Sequence, residues 1–170
     1  GWANVSNTPF REYKHWAHEG GISTPLIVHW PAGIAKAGGG RLISTPGHLI
    51  DILATCVDLA EATYPKKHAG NAIQPQEGVS LKPLLVSTEG TLSGRRLFWE
   101  HEGNRAVRDG QWKLVSKHPG EWELYDLAVD RTETSDLSAS QPGRVRELAA
   151  AWDNWARRVG VLPWPPLGKE

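Results

Sequence analysis

Apolar and polar positions follow two different periods along this chain, and the changes between them mark its organisation. Residues 26–30, Leu-Ile-Val-His-Trp, form a short β-branched and aromatic run, entered through Thr24-Pro25 and closed by Pro31. A residue preceding proline is pushed out of the helical region, so this run predicts a buried strand. Over residues 48–62 the period becomes helical. Leu49, Ile52, Leu53, Cys56, Leu59 and Ala60 predict one buried stripe, with Cys56 acting as a small buried hydrophobe. Residues 64–80 read as loop, rich in Pro, Gly, Gln and Lys.

The second half is strand-like and then helical. Residues 97–102, 105–108, 111–115 and 122–126 are four short runs separated by turn chemistry, and Asp109-Gly110 is a hairpin signal between the second and third. They predict a small antiparallel sheet. In residues 142–159, Val145, Leu148, Ala149, Trp152, Ala156 and Val159 share one face, while Arg144, Arg146, Glu147, Asp153 and Arg157 share the other. Pro142 suits the first helical turn and Gly160 the stop. Residues 1–5 read as the frayed end of an upstream element, 36–41 as a glycine-rich surface loop and 163–170 as a proline-rich tail along the surface.

Composition narrows the functional classes. The 170 residues suffice for one domain or a large part of one. Nineteen basic and nineteen acidic residues cancel, which gives no electrostatic case for nucleic acid or an anionic membrane as partner. No apolar stretch is long enough to span a bilayer. One cysteine excludes an internal disulfide and leaves the compartment open, periplasmic, secreted or cytoplasmic. Nine tryptophans raise a sugar-stacking reading, but their scatter along hairpins and helix favours core filling.

The chemistry concentrates just before the first apolar run. Lys14 stands five residues ahead of Glu19-Gly20-Gly21, with His15 and His18 between. Gly20-Gly21 reads as a turn needing backbone conformations closed to other residues, so the charged cluster is predicted on a loop at a sheet edge. Lys-x-x-x-x-Glu-Gly-Gly, followed by Thr-Pro, an apolar strand and Trp-Pro, resembles the lysine loop of the sulfatases, a branch of the alkaline phosphatase superfamily. The likeness is greatest to bacterial arylsulfatases, and Gly78-Val79-Ser80-Leu81 with Pro83-Leu84-Leu85 extends it. Asp51 and Thr55 likewise resemble an aspartate and a threonine on a covering helix of that family.

The resemblance implies an α/β fold: the carboxy-terminal part of an alkaline phosphatase/sulfatase-like fold, with a small four-stranded antiparallel sheet and a C-terminal helix. Residues 1–94 would end the large α/β domain, and residues 95–170 would form the small subdomain. It implies a sulfuric ester hydrolase as the parent, with Lys14 contacting the sulfate of a small ester. The formylglycine nucleophile and a divalent metal, calcium by family resemblance, would come from the missing amino-terminal part of the enzyme. Thr55-Cys56-Val57-Asp58 does not fit the modifiable cysteine motif, and no metal ligands are expected within this chain, so the fragment alone would be inactive.

Further candidates stand beside Lys14. His18 and His15 flank the loop, and the resemblance implies that Trp99-Glu100-His101-Glu102-Gly103-Asn104-Arg105 borders the substrate pocket, with His101 or Asn104 as the candidate for contact with the organic part of the ester. Glu19 either orients Lys14 or bonds the glycine turn. The turn is the better reading, because an acid on Lys14 would neutralise the charge that sulfate needs. His29 reads as a core residue. Two other classes stay open: a phosphonate or phosphodiester hydrolase of the same superfamily, and a non-catalytic glycan-binding or assembly module.

Overall fold

The computed structural model describes residues 1–34 and 38–165. Lys36 and Ala37 of the predicted glycine-rich loop, and the tail from residue 166, lie outside the described residues. In chain order the elements begin with α1 (Trp2–Ser6), α2 (Glu19–Ile22), α3 (Pro31–Ile34) and α4 (Ile50–Leu59). A small hairpin, β1 (Lys67–His68) with β2 (Asn71–Ala72), and α5 (Lys82–Val86) follow. Then come β3 (Arg96–His101), β4 (Asn104–Asp109), β5 (Trp112–Ser116), β6 (Glu123–Asp126) and α6 (Pro142–Val159). The chain divides into two compact units, one of Gly1–Leu26 with Gly94–Glu170 and one of Ile27–Ser93.

The first unit is an α/β arrangement built on a meander in the order β3-β4-β5-β6, antiparallel throughout. Alternation of side chains along its strands gives it two different faces. Val107, Leu114 and Leu124 point one way and form a core with Leu148, Trp152 and Ala156 of α6. Phe98 stacks on Trp155 with centroids 5.3 Å apart, and the indole N–H of Trp152 donates to the Trp99 carbonyl at 3.0 Å. Trp112 and Trp122 pack against the same core, so these tryptophans are structural. Ala106, Val115 and Tyr125 point the other way and are covered by Ala17. The helix ends where expected: Pro142 lies in the first turn, and Gly160 adopts φ 76°, the left-handed stop that glycine takes without a Cβ penalty.

The first two hairpin loops of this sheet have two residues each. His101 pairs with Asn104 across Glu102-Gly103, whose φ values of 53° and 78° define the doubly left-handed turn. Asp109 pairs with Trp112 across Gly110-Gln111, so Asp109 ends a strand and Gly110 opens the turn.

From residue 26 to residue 80 the structure departs from the sequence pattern in three places. Helix α4 is present, yet Asp51, Ala54 and Thr55 are its buried residues, while Ile52 (45% exposed), Leu53 (50%) and Cys56 face outward. Polar anchoring decides the orientation. The Asp51 carboxylate accepts from the His48 and Val79 backbone N–H groups at 2.7 and 3.0 Å. The Thr55 hydroxyl donates to the Asp51 carbonyl and accepts from the Leu81 N–H at 2.8 Å. Leu81 and Leu84 fill the space beneath. Buried polar groups that are bonded in this way cost little, and they fix which face turns inward.

The second departure is the run at residues 26–30, which forms no strand. Leu26 and Ile27 are 58% and 89% exposed. No described strand pairs with it, and a β-branched run needs a ladder partner and a covered face to become a strand. Third, residues 64–80, expected as loop, include the β1–β2 ladder.

The α6-covered core makes a quantitative prediction. Leu124→Ala, at a fully buried site where β6 faces α6, should lower unfolding free energy by about 2–5 kcal/mol. Chemical denaturation followed by tryptophan fluorescence reads this directly; a loss below 1 kcal/mol would mean the core is not packed as described.

Candidate functional site

Residues 7–23 lie on the sheet face opposite α6, and a buried charge cluster holds them there. Lys113 of β5 is fully buried, on the same face as Val115. Its Nζ lies 3.0 Å from Glu19 Oε1 and 2.7 Å from Glu133 Oε1, and both carboxylates are buried. The Glu19 backbone N–H donates to Glu133 Oε2 at 2.8 Å, and Arg131 reaches Glu19 Oε2 at 3.3 Å. Burial alone would raise the Glu19 pKa, but the charge and hydrogen bond of Lys113 and the hydrogen bond from Arg131 bring it below its usual value. Glu19 is therefore neither the partner of Lys14 nor a bond to the glycine turn: it is the loop's anchor to the sheet.

Gly20 and Gly21 sit inside the short helix α2 and have no left-handed φ. Their reason is crowding. A Cβ on Gly20 would come within 2.2 Å of the Arg11 carbonyl oxygen, and one on Gly21 within 1.9 Å of that of Trp16. His18 is fully buried beside them, its Nε2 3.3 Å from Glu123 Oε2. That hydrogen bond, outweighing the effect of burial and joined by one from Tyr125, lowers the Glu123 pKa to about 2. Burial and the Glu123 hydrogen bond raise the Tyr125 phenol well above its usual value.

The other side of the loop faces out. Lys14 and His15 are exposed and, with Trp16, Ile22 and His101, line a cavity of about 250 Å³. Lys14 makes no hydrogen bond or ion pair among the described residues. His15 has φ 94° and places Nδ1 2.9 Å from Glu102 Oε2, and its ring stacks on that of His101 with centroids 5.7 Å apart. Asn104 is 6% exposed. Its amide N–H groups donate to the carbonyls of His15 and His101 at 2.9 Å each, and its oxygen accepts from the His118 N–H at 3.0 Å. Of the predicted residues, Lys14 and His101 thus meet at one cavity with His15. His18 and Asn104 lie behind it, holding loop and hairpin, with no free surface for a ligand. His29 is exposed.

The profile of a family described as N-sulphoglucosamine sulphohydrolase, C-terminal, matches residues 11–150. The chain belongs to the sulfatase family. An uncharacterised sulfatase of Schizosaccharomyces pombe is 32% identical over 96% of this chain and 30% of its own length. A sulfatase of Formosa agariphila is 27% identical over 95% of this chain and 34% of its own. The crystal structure of Ps i-CgsB superposes with a TM-score of 0.70 at 23% identity, covering 88% of this chain and 32% of that one, which is a likeness of fold. This sulfatase chain spans about a third of the length of these two relatives.

Three positions that shape the site escaped the sequence reading. Lys113 left a trace, since Leu114 and Val115 are adjacent apolar residues and imply a strand buried on both faces. Glu102 left another: a glutamate at the first position of a doubly left-handed turn, where Asn, Asp or Gly is usual. Glu133 left none, because its partner is 20 residues away in sequence and its neighbours over residues 130–136 are all polar.

Acid titration checks the His18–Glu123 contact. Glu123 falls from its usual 4.5 to about 2 on folding, so it adds stability above pH 4.5 that is lost as pH falls towards 2. Unfolding free energy measured between pH 5 and 2 should decline less steeply for Glu123→Gln than for the unaltered protein. Identical slopes would remove the contact from the account.

Proposed function

We propose that this sulfatase portion supplies the sulfate-contacting cation of a sulfuric ester hydrolase, and that the cation is Lys14. The observation that carries this reading is the contrast between the loop's two sides. Beneath, the carboxylates are committed to Lys113 and Arg131; above, Lys14 lines a cavity with no described partner. A sulfate ester carries charge on its peripheral oxygens and develops more on the departing oxygen. A fixed ammonium with three donors stabilises that charge, more strongly where water is excluded. In this reading His101, which lines the same cavity, meets the organic part of the ester, while Asn104 and His18 act by holding the loop.

Calcium and the formylglycine nucleophile are assigned to sequence outside this chain. The described residues offer one cluster able to hold a metal ion, His15, His101 and Glu102. Calcium takes six to eight oxygen ligands, and two imidazoles with one carboxylate do not fit it. The substrate is a small sulfate ester, and the sulfatase relatives favour this over a phosphonate or phosphodiester.

In the full-length enzyme, Lys14→Ala should lower kcat/KM for an aryl sulfate by roughly 100- to 1000-fold, as for removal of one preorganised donor. Near-normal turnover in a folded variant would refute the role. A parent turning over phosphonate esters far faster than sulfate esters would move the assignment to the sister chemistry.

A further inference from the structure

The cavity's rim carries a group that sulfate contact does not require. One donor atom each from His15, His101 and Glu102 lies within 4.8 Å of the other two. Glu102 Oε2 is 2.9 Å from His15 Nδ1 and 3.9 Å from His101 Nε2. We propose that His15, His101 and Glu102 form a binding site for a borderline transition-metal ion of the zinc type. This inference is independent of the role given to Lys14; it commits His101 Nε2 to the ion and leaves the carbon edge of that ring for the organic part of the ester.

Four features support it. Two imidazoles and a carboxylate are the donor set that binds Zn²⁺ while leaving a fourth position open, and nitrogen donors select zinc or copper over calcium. Around a tetrahedral ion with bonds of about 2.0–2.1 Å, ligand atoms stand about 3.3–3.5 Å apart. The distances seen here bracket that spacing, so modest rotation of the two exposed histidines and the half-buried Glu102 closes the site. The backbone beneath is already set, because the Asn104 amide ties the carbonyls of His15 and His101 together. Finally, His15 and Glu102 both hold left-handed φ values, 94° and 53°, that non-glycine residues seldom adopt. Such conformations gather where function needs a side chain aimed, and a glutamate at that hairpin position forgoes the residues the turn prefers. The open position would hold a water or an anion beside Lys14.

The test uses the purified full-length protein, stripped with chelator and titrated with Co²⁺ as the probe. Binding at this site should give the intense visible absorption of a four-coordinate ion, unchanged by excess Ca²⁺ and abolished by one equivalent of Zn²⁺. His15→Ala, His101→Ala and Glu102→Gln should each remove the band. Asn104→Ala should weaken binding roughly 10- to 100-fold while leaving the spectral shape, the signature of a residue that acts through the ligands. Tryptophan fluorescence of the α6 core, unchanged in each variant, reports folding. Absence of the band in the unaltered protein, or its persistence in the folded His15→Ala/His101→Ala variant, would overturn the site.

Discussion

A single buried ammonium, that of Lys113, decides how the outer face of this chain is arranged. It draws together three segments distant in sequence: β5, which carries it, the start of α2 through Glu19, and the turn ending at Glu133. Taking three charges out of water is costly, and burying apolar residues of similar volume instead would often be no less stable. Removing one member while leaving the others is what costs heavily, on the order of 3–5 kcal/mol. The cluster therefore acts chiefly through geometry. With Glu19 held at the sheet, the loop has one register, in which Ala17, His18 and Glu19 are inside and Lys14 and His15 outside.

That register separates two electrostatic tasks. Below the loop, negative charge is neutralised by Lys113 and Arg131, and the Glu123 carboxylate is satisfied by His18 and Tyr125. Above it, Lys14 is exposed, lines the cavity and has no hydrogen bond or ion pair among the described residues. Glu12 is occupied by Lys117, whose ammonium also lies over the Trp16 ring at 4.3 Å, so the nearest acid in sequence does not compete. The hairpin β3–β4 completes the rim, with Asn104 joining it to the loop through the backbone. The loop is thus anchored on its inner side, with Lys14 and His15 exposed on its outer side.

How much of this was legible beforehand depends on whether a feature is periodic or relational. The four-strand meander, α6 with its proline start and glycine stop, and the tryptophan-filled core follow from side-chain period and turn chemistry, and they appear within a residue or two. The lysine loop was legible as a motif, although its glycines are there because Arg11 and Trp16 carbonyls pass too close for a Cβ. Helix α4 shows the limit. Its apolar stripe suggested one buried face, but Asp51 and Thr55 bind the backbone of the following segment and turn the helix the other way. The run at residues 26–30 has the composition of a strand and no described partner, which no local pattern reveals. Lys113, Glu133 and Glu102 belong to the same relational class.

The central claim is that Lys113 holds the loop that presents Lys14, and amide hydrogen exchange in Lys113→Met tests it most directly. The account predicts faster exchange at Gly20, Gly21 and Ile22, whose N–H groups are bonded to Arg11 and His18 carbonyls, with α6 as protected as before. Loop protection unchanged by the substitution, or lost equally throughout the sheet and α6, would contradict it.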